Sequence, residues 1–337
     1  MSDSFVRLRI TADNVAVASL RSEDVPACTH WLLQHVLLSA RFVAVTDTDL
    51  DFTLLLPSDA LSGAPSCVRS SGTRFVAIQI DVGDLGFDVA GVVNSVATPL
   101  GLNRVPICYV STFSTDLFLV PAARLADARR ALEADKFRFV DDASPSSSSS
   151  SSSLPSSATA PLNLLFSPPR PAPSPILRSR SDIAAEPHVV LSVLPFTLRM
   201  VQLTGDLTRF SLQIVRLLCF TARSDRFFSL VRLSSNELSL VVEQDELDLC
   251  FPDAATDAQI VLSPLIWRCV LMTSLGTGLE ESGVMLRFTK PLADAGVSIF
   301  KVTTTQNDYT LLRNTDVDAA FTRLKETFAN VEIIDES

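Results

Sequence analysis

The stretch "YVSTFSTDLFLV" occupies Tyr109–Val120, and "KVTTTQNDYTLL" occupies Lys301–Leu312, 192 residues later. Each carries hydroxyl side chains, a short polar turn, an aspartate (Asp116, Asp308) and a strand-like apolar run, so each reads as a hairpin. Working outward, Gly86–Val120 and Gly278–Leu312 align without a gap and agree at eleven of 35 positions, among them Gly91/Gly283, Pro99/Pro291, Val110/Val302, Thr112/Thr304 and Asp116/Asp308. Average composition gives roughly two or three such matches. Further upstream, "RFVAVTDTDLDFTLLLPSDAL" from Arg41 lines up with "RFFSLVRLSSNELSLVVEQDEL" from Arg226 with a slip of one residue. The chain is a long internal duplication.

Both halves share one pattern. In the first, Phe5–Ile10 and Val15–Leu20 read as strands, residues 24–38 as a helix, and Phe42–Thr46 with Phe52–Leu56 as a hairpin. Arg74–Val82 reads as a strand, Asp88–Leu102 as a helix, Ile107–Thr112 with Leu117–Val120 as a hairpin, Ala122–Glu133 as a helix and Lys136–Val140 as a closing strand. Val89, Val92, Val93, Val96 and Leu100 fall on one helix face, as do Val317, Ala320, Phe321, Leu324 and Phe328 in the second half, where Thr315 reads as an N-cap. A βαββαβ module, used about four times, implies an α+β, ferredoxin-like plan with helices on one face of antiparallel sheets. The expected modules are 1–70, 71–140, 187–255 and 256–337. The serine- and proline-rich residues 141–186 cannot bury apolar area and read as a disordered linker.

The totals exclude several classes. The chain has 337 residues, 47% of them apolar, enough for more than one core. A net charge of −10 repels phosphate backbones, so no nucleic acid is expected as partner. The opening "MSDSFVRLRI" has no apolar signal core, and no long uncharged apolar run points to membrane insertion. The six cysteines show no paired spacing and read as reduced thiols of a cytoplasmic protein.

Catalytic chemistry is nearly absent. There is no nucleotide-binding glycine loop, no HExxH and no nucleophile elbow, and the three histidines share no helix face, so no enzyme, metal or cofactor is expected. The informative segment is "LGTGLEESGVML", Leu275–Leu286, where Gly278 and Gly283 frame two acids ahead of a helix. Free N–H groups at a helix start suit a carboxylate. Glu280 and Glu281, with Asp308 on the following hairpin, suit a cation, so the group suits a zwitterion with a basic side chain. The plainer reading is a glycine turn with acids favoured in the first helical turn.

At these residues the sequence resembles the CASTOR family, cytosolic arginine sensors acting on TOR complex 1 in animals. The likeness is carried by "STFSTDLFLVP" (Ser111–Pro121), "WRCV" (Trp267–Val270), "GLEESGV" (Gly278–Val284) and "PLADAGVSIFKVTTTQND" (Pro291–Asp308). It implies four ACT-type modules in two halves, a homodimer, a protein partner of the GATOR or SEA type, and an amino acid, arginine or another, held between the second and fourth modules. It also implies that Gly278, Glu281, Gly283 and Val284 belong to the ligand loop, Thr304 to the hairpin, and Asp308 to the pairing with a guanidinium. Pro106, Leu265 and Thr305 depart from the family pattern, where a serine, a glutamate and a phenylalanine stand. Ile107, beside Pro106, still offers a backbone amide. An interaction scaffold with a degenerate pocket is the alternative function.

Overall fold

The computed structural model describes residues 6–39, 41–81, 91–140, 189–220, 226–274, 284–327 and 331–335. The first half runs β1 (Val6–Leu20), α1 (Val25–Leu33) with a π-helical turn Gln34–Leu38, β2 (Val43–Thr48) and β3 (Phe52–Pro57). It continues with β4 (Arg69–Asp81), α2 (Val92–Leu102), β5 (Cys108–Ser111), β6 (Asp116–Pro121), α3 (Leu125–Ala134) and β7 (Phe137–Phe139). The second half repeats this as β8 (Val189–Thr204), α4 (Ser211–Cys219), β9 (Phe227–Ser234), β10 (Glu237–Glu243), α5 (Gln244–Cys250), β11 (Ile260–Leu262), β12 (Trp267–Ser274), α6 (Val284–Asp294), β13 (Ile299–Thr303), β14 (Asp308–Arg313), α7 (Val317–Thr327) and β15 (Val331–Asp335). The expected linker lies outside the described residues.

Each half contains two units. In the first unit β2, β3, β1 and β4 lie side by side, the ferredoxin-like order. Its second crossover is a 3-10 segment, Ser58–Gly63, where the third unit has α5. The second unit departs from the four-stranded expectation. Here Arg7–Ile10 of β1 pairs with Ile78–Asp81 of β4, and Val6–Leu8 pairs in parallel with β7, so β1 slots between the strands that open and close the unit. The two expected strands Phe5–Ile10 and Val15–Leu20 are therefore one bent strand. Its register against β4 shifts between Ile10, Ala12 and Val15, and such bulges let one strand serve two differently oriented sheets. β8 does the same, pairing with β12 and β15 early and with β10 and β11 late.

The halves then join edge to edge. β2 pairs antiparallel with β9 over Val43–Thr48, and β5 meets β13 at Val110↔Val302. With β8 also paired to β10, the sheet closes on itself through β10-β9-β2-β3-β1-β4-β6-β5-β13-β14-β12-β8. This closed ring has two kinds of core. Inside, sheet faces sheet: Val17, Leu55, Val110 and Leu119 form one apolar cluster, and Leu198, Trp267, Phe300, Val302 and Tyr309 another. Outside, helices cover the strands: α1 and α4 share a core with both first-type units, α2 and α3 cover the second unit, and α6 and α7 cover the fourth. Alternation assigns the faces, since Phe227 points into the ring and Phe228 toward the helices.

The helix faces read from spacing hold: Val92, Val93, Val96 and Leu100 are buried, as are Ala320 and Leu324. Val89 and Phe328 lie outside the described residues. Thr315 does not cap α7. It sits in a 3-10 turn, Asn314–Asp316, and gives its hydroxyl to Asp316. α2 and α6 each carry a proline at the eighth of eleven positions, Pro99 and Pro291, a mark of the duplication. Among the described residues, no helix is long and apolar enough to cross a membrane.

Charge also joins the halves beneath β2 and β9. The Arg226 guanidinium, 5% exposed, lies 2.7 Å from Asp47 and 3.4 Å from Glu246, and donates to the Leu217 carbonyl. Burial pushes the Asp47 carboxyl up to about 6 against the pull of Arg226. Arg232 of β9 donates to the carbonyls of Val36 and Leu37, which end the helical segment of the other half.

Candidate functional site

The β5–β13 junction brings the two quoted hairpins side by side. Across it run two hydroxyl relays of opposite sense. The Tyr109 N–H donates to Thr303 Oγ1 (3.1 Å), and that hydroxyl donates to Asp308 Oδ1 (2.7 Å). In the matching direction, the Lys301 N–H donates to Ser111 Oγ (3.0 Å), and Ser111 stands opposite Asp116 in the β5–β6 pair. Burial pushes the Asp116 carboxyl up to about 6, against the opposing pull of the neighbouring Ser111 and Tyr109 hydroxyls. Above the junction α2 meets α6: Thr289 donates to Asn94 (3.4 Å), and Gly91 approaches Ala293. Gly91 opens α2 at φ +94°, a backbone state that a side chain would strain.

The hairpin tips reach further, onto the first-type unit of the opposite half. The Thr305 N–H donates to Thr53 Oγ1 (2.9 Å) and the Gln306 N–H to Asp51 Oδ2 (3.1 Å). On the other side, the Phe113 N–H donates to Ser239 Oγ (2.8 Å) and the Ser114 hydroxyl to Glu237. Thr53 stands two residues after Asp51 as Ser239 stands two after Glu237, so the docking obeys the same pseudo-twofold relation. Thr305 is thus a docking residue.

Of the residues singled out in the sequence, Ile107, Thr304 and Asp308 come to this junction. Ile107 precedes β5 and packs on the core beneath α2. Thr304 is buried, and its hydroxyl is used by its own turn, donating to the Asn307 carbonyl and accepting from the Asn307 N–H. Thr112 does the same with Thr115. Asp308 begins β14, with its other oxygen 3.7 Å from Lys301 Nζ. Val284 opens α6. Gly278, Glu280, Glu281 and Gly283 lie outside the described residues. Pro106 is partly buried just before β5, and Leu265 packs against the ring's inner core. Sequence reasoning passed over Lys301, Ser111 and Thr303. The available signal was a charged residue at a helix-facing position of an alternating strand, Ile299-Phe300-Lys301-Val302-Thr303.

Two segments of the chain, residues 70–134 and 262–326, match the ACT domain family. They are offset by the same 192 residues as the hairpins. Among solved structures, the chain is similar to aspartate kinase from Synechocystis at 13% identity and a TM-score of 0.34, over 96% of this chain and 56% of that one. It is also similar to protein Atu0741 of Agrobacterium tumefaciens (22% identity, TM-score 0.32, over 45% of this chain and 96% of that one). A protein of unknown function from Vibrio cholerae, VC0802, described as a possible transport protein, matches at 15% identity and a TM-score of 0.28, over 42% of this chain and 90% of that one. The fold is α+β, built of ACT-like units in two tandem repeats.

Proposed function

We propose that this chain is a non-catalytic regulatory protein that binds an amino acid between its second and fourth units and passes that event to a protein partner. The observation that supports it most is the β5–β13 junction, where two ACT-matching segments exchange backbone-to-hydroxyl hydrogen bonds beside Asp116 and Asp308. ACT domains typically bind amino acids in regulatory roles. A ligand here touches both halves at once, so its differential affinity for two arrangements of the halves shifts their population and the surface a partner sees. In this reading Val284, Thr304 and Asp308 line the site with the Ile107 amide, Asp308 toward the ligand side chain, and the sequence motif Gly278, Glu280, Glu281, Gly283 belongs to the same site. In the setting suggested by the family resemblance, the protein is a cytoplasmic homodimer and the partner is of the GATOR or SEA type. Thermal denaturation with each common amino acid in turn tests this: one of them raises the melting temperature saturably, and no shift by any of them refutes it.

A second reading is an interaction scaffold with a degenerate pocket. It is favoured by the inward use of Thr304 and of both Asp308 oxygens. It requires partner binding to be unaffected by any amino acid and by Asp308→Ala.

A further inference from the structure

Lys301 is wholly buried, at 0% exposed, where lysine is rarely found without a partner. Its Nζ lies 3.7 Å from Asp308 Oδ2 and 3.2 Å from Thr310 Oγ1, and stands 5.5 Å over the Phe288 ring of α6. Burial lowers the ammonium's pKa while Asp308 pulls it back up. At the equivalent place in the first half, 192 residues earlier, stands Tyr109, equally buried and close enough to Asp116 to influence its titration. The duplicated frame therefore puts a phenol behind one aspartate and a lysine behind the other.

We propose that Lys301 sets the ligand class of the amino-acid site: by neutralising Asp308 from within, it makes the site select a neutral side chain bearing a hydrogen-bond donor, such as an amide, over a guanidinium or ammonium. The inference rests on the amino-acid-binding reading above.

The reasoning concerns what Asp308 still has to offer. One oxygen accepts from Thr303 and the other faces Lys301. The Asp308 side chain is 23% exposed and Lys301 is not exposed at all, so the carboxylate is the member of the pair a ligand can reach, while the ion pair as a whole carries no net charge. A neutral N–H donor uses such an acceptor without bringing charge out of water. A cation loses its hydration and meets a carboxylate whose field Lys301 has already reduced. The thiols that sense this pair, Cys108 and Cys269, are pushed up by burial and stay neutral.

The test is calorimetric titration of the full chain with citrulline and arginine, which match in length and differ in charge, beside the twenty common amino acids. The variants are Lys301→Met and Lys301→Tyr. The second copies the first half, where the same frame seats a tyrosine against an aspartate, and it serves if Lys301→Met does not fold. Both leave Glu280 and Glu281 unchanged. The expected result is a wild-type preference for citrulline or another neutral amino acid over arginine by about tenfold or more, with arginine affinity rising at least about tenfold in the variants. If arginine binds the wild type more tightly than every neutral amino acid, or its affinity does not rise in a folded variant, the role of Lys301 is overturned and the amino-acid reading stands. Binding of no amino acid by any of the three proteins overturns both.

Discussion

Replacing Thr53 by valine removes one hydroxyl and keeps the shape. Thr53 is buried, and its oxygen is the acceptor for the Thr305 N–H at 2.9 Å and lies 3.1 Å from the Thr305 hydroxyl. The Thr305 hydroxyl keeps Asp51 as a partner at 3.3 Å, but the backbone N–H loses its own. A buried donor left unsatisfied costs about 1–3 kcal/mol. With an m-value of about 3 kcal/mol/M, the urea midpoint falls by roughly 0.5 M. Ser239→Ala removes the acceptor of the Phe113 N–H at 2.8 Å and has a cost of the same order. The two contacts share no partner, so the double variant shows the sum to within about 0.5 kcal/mol. Fluorescence reads each half of the chain, through Trp31 in α1 and Trp267 in β12, with Trp31→Phe and Trp267→Phe isolating one at a time. Because each contact spans the halves, either substitution lowers both midpoints together. A shift in one probe alone, or a cost below about 0.5 kcal/mol for both substitutions, refutes the docking argument.

Three further outcomes are expected. Arg226→Met leaves Asp47 and Glu246 buried without their cation and lowers unfolding free energy by about 3–5 kcal/mol at neutral pH, measured by urea titration. The Asp47 carboxyl sits at about 6 in the folded chain against 3.8 ordinarily, so the folded state binds the extra proton between those values. Its contribution therefore makes the protein more stable by about 1 kcal/mol at pH 5 than at pH 7, and Asp47→Asn removes that part of the pH dependence. Cys28 and Cys67 bring their sulfurs to 3.1 Å, and burial pushes the Cys28 thiol up to about 12. Diamide takes one hydrogen from each thiol and links the pair, slowly at neutral pH, and peptide mass mapping finds the link in the wild type but not in Cys67→Ser.

The duplication and the α+β class were legible because repeated spacing survives when most identities have drifted. The helix face Val92, Val93, Val96 and Leu100 was legible for the same reason. The bent β1 was not, because the polar run Thr11–Asn14 reads as a break, whereas a bulge carries the strand through it. Ring closure was not, because β2–β9 and β5–β13 pair residues about 190 positions apart and edge strands carry no local mark of their partner. The hydroxyl-rich hairpins were read as ligand-facing. The structure spends Thr304 and Thr305 on the turn and on docking, and these uses share one residue type with ligand binding. Lys301 was overlooked because a single charge in an alternating strand gives no periodic signal, and its partner lies seven residues on, across the turn.

The closed ring has a consequence for ancestry. A lone half offers two bare edges, β2 and β5, and in the full chain each is covered by its opposite number, β9 and β13. The nearest substitute for a missing half is a second copy of the one present, since the contacts obey a pseudo-twofold relation. Before gene fusion, the ring's parent would have been a pair of identical chains with two equal sites. Joining them let the copies diverge, so that one came to hold Tyr109 and the other Lys301 at a position that symmetry had kept the same.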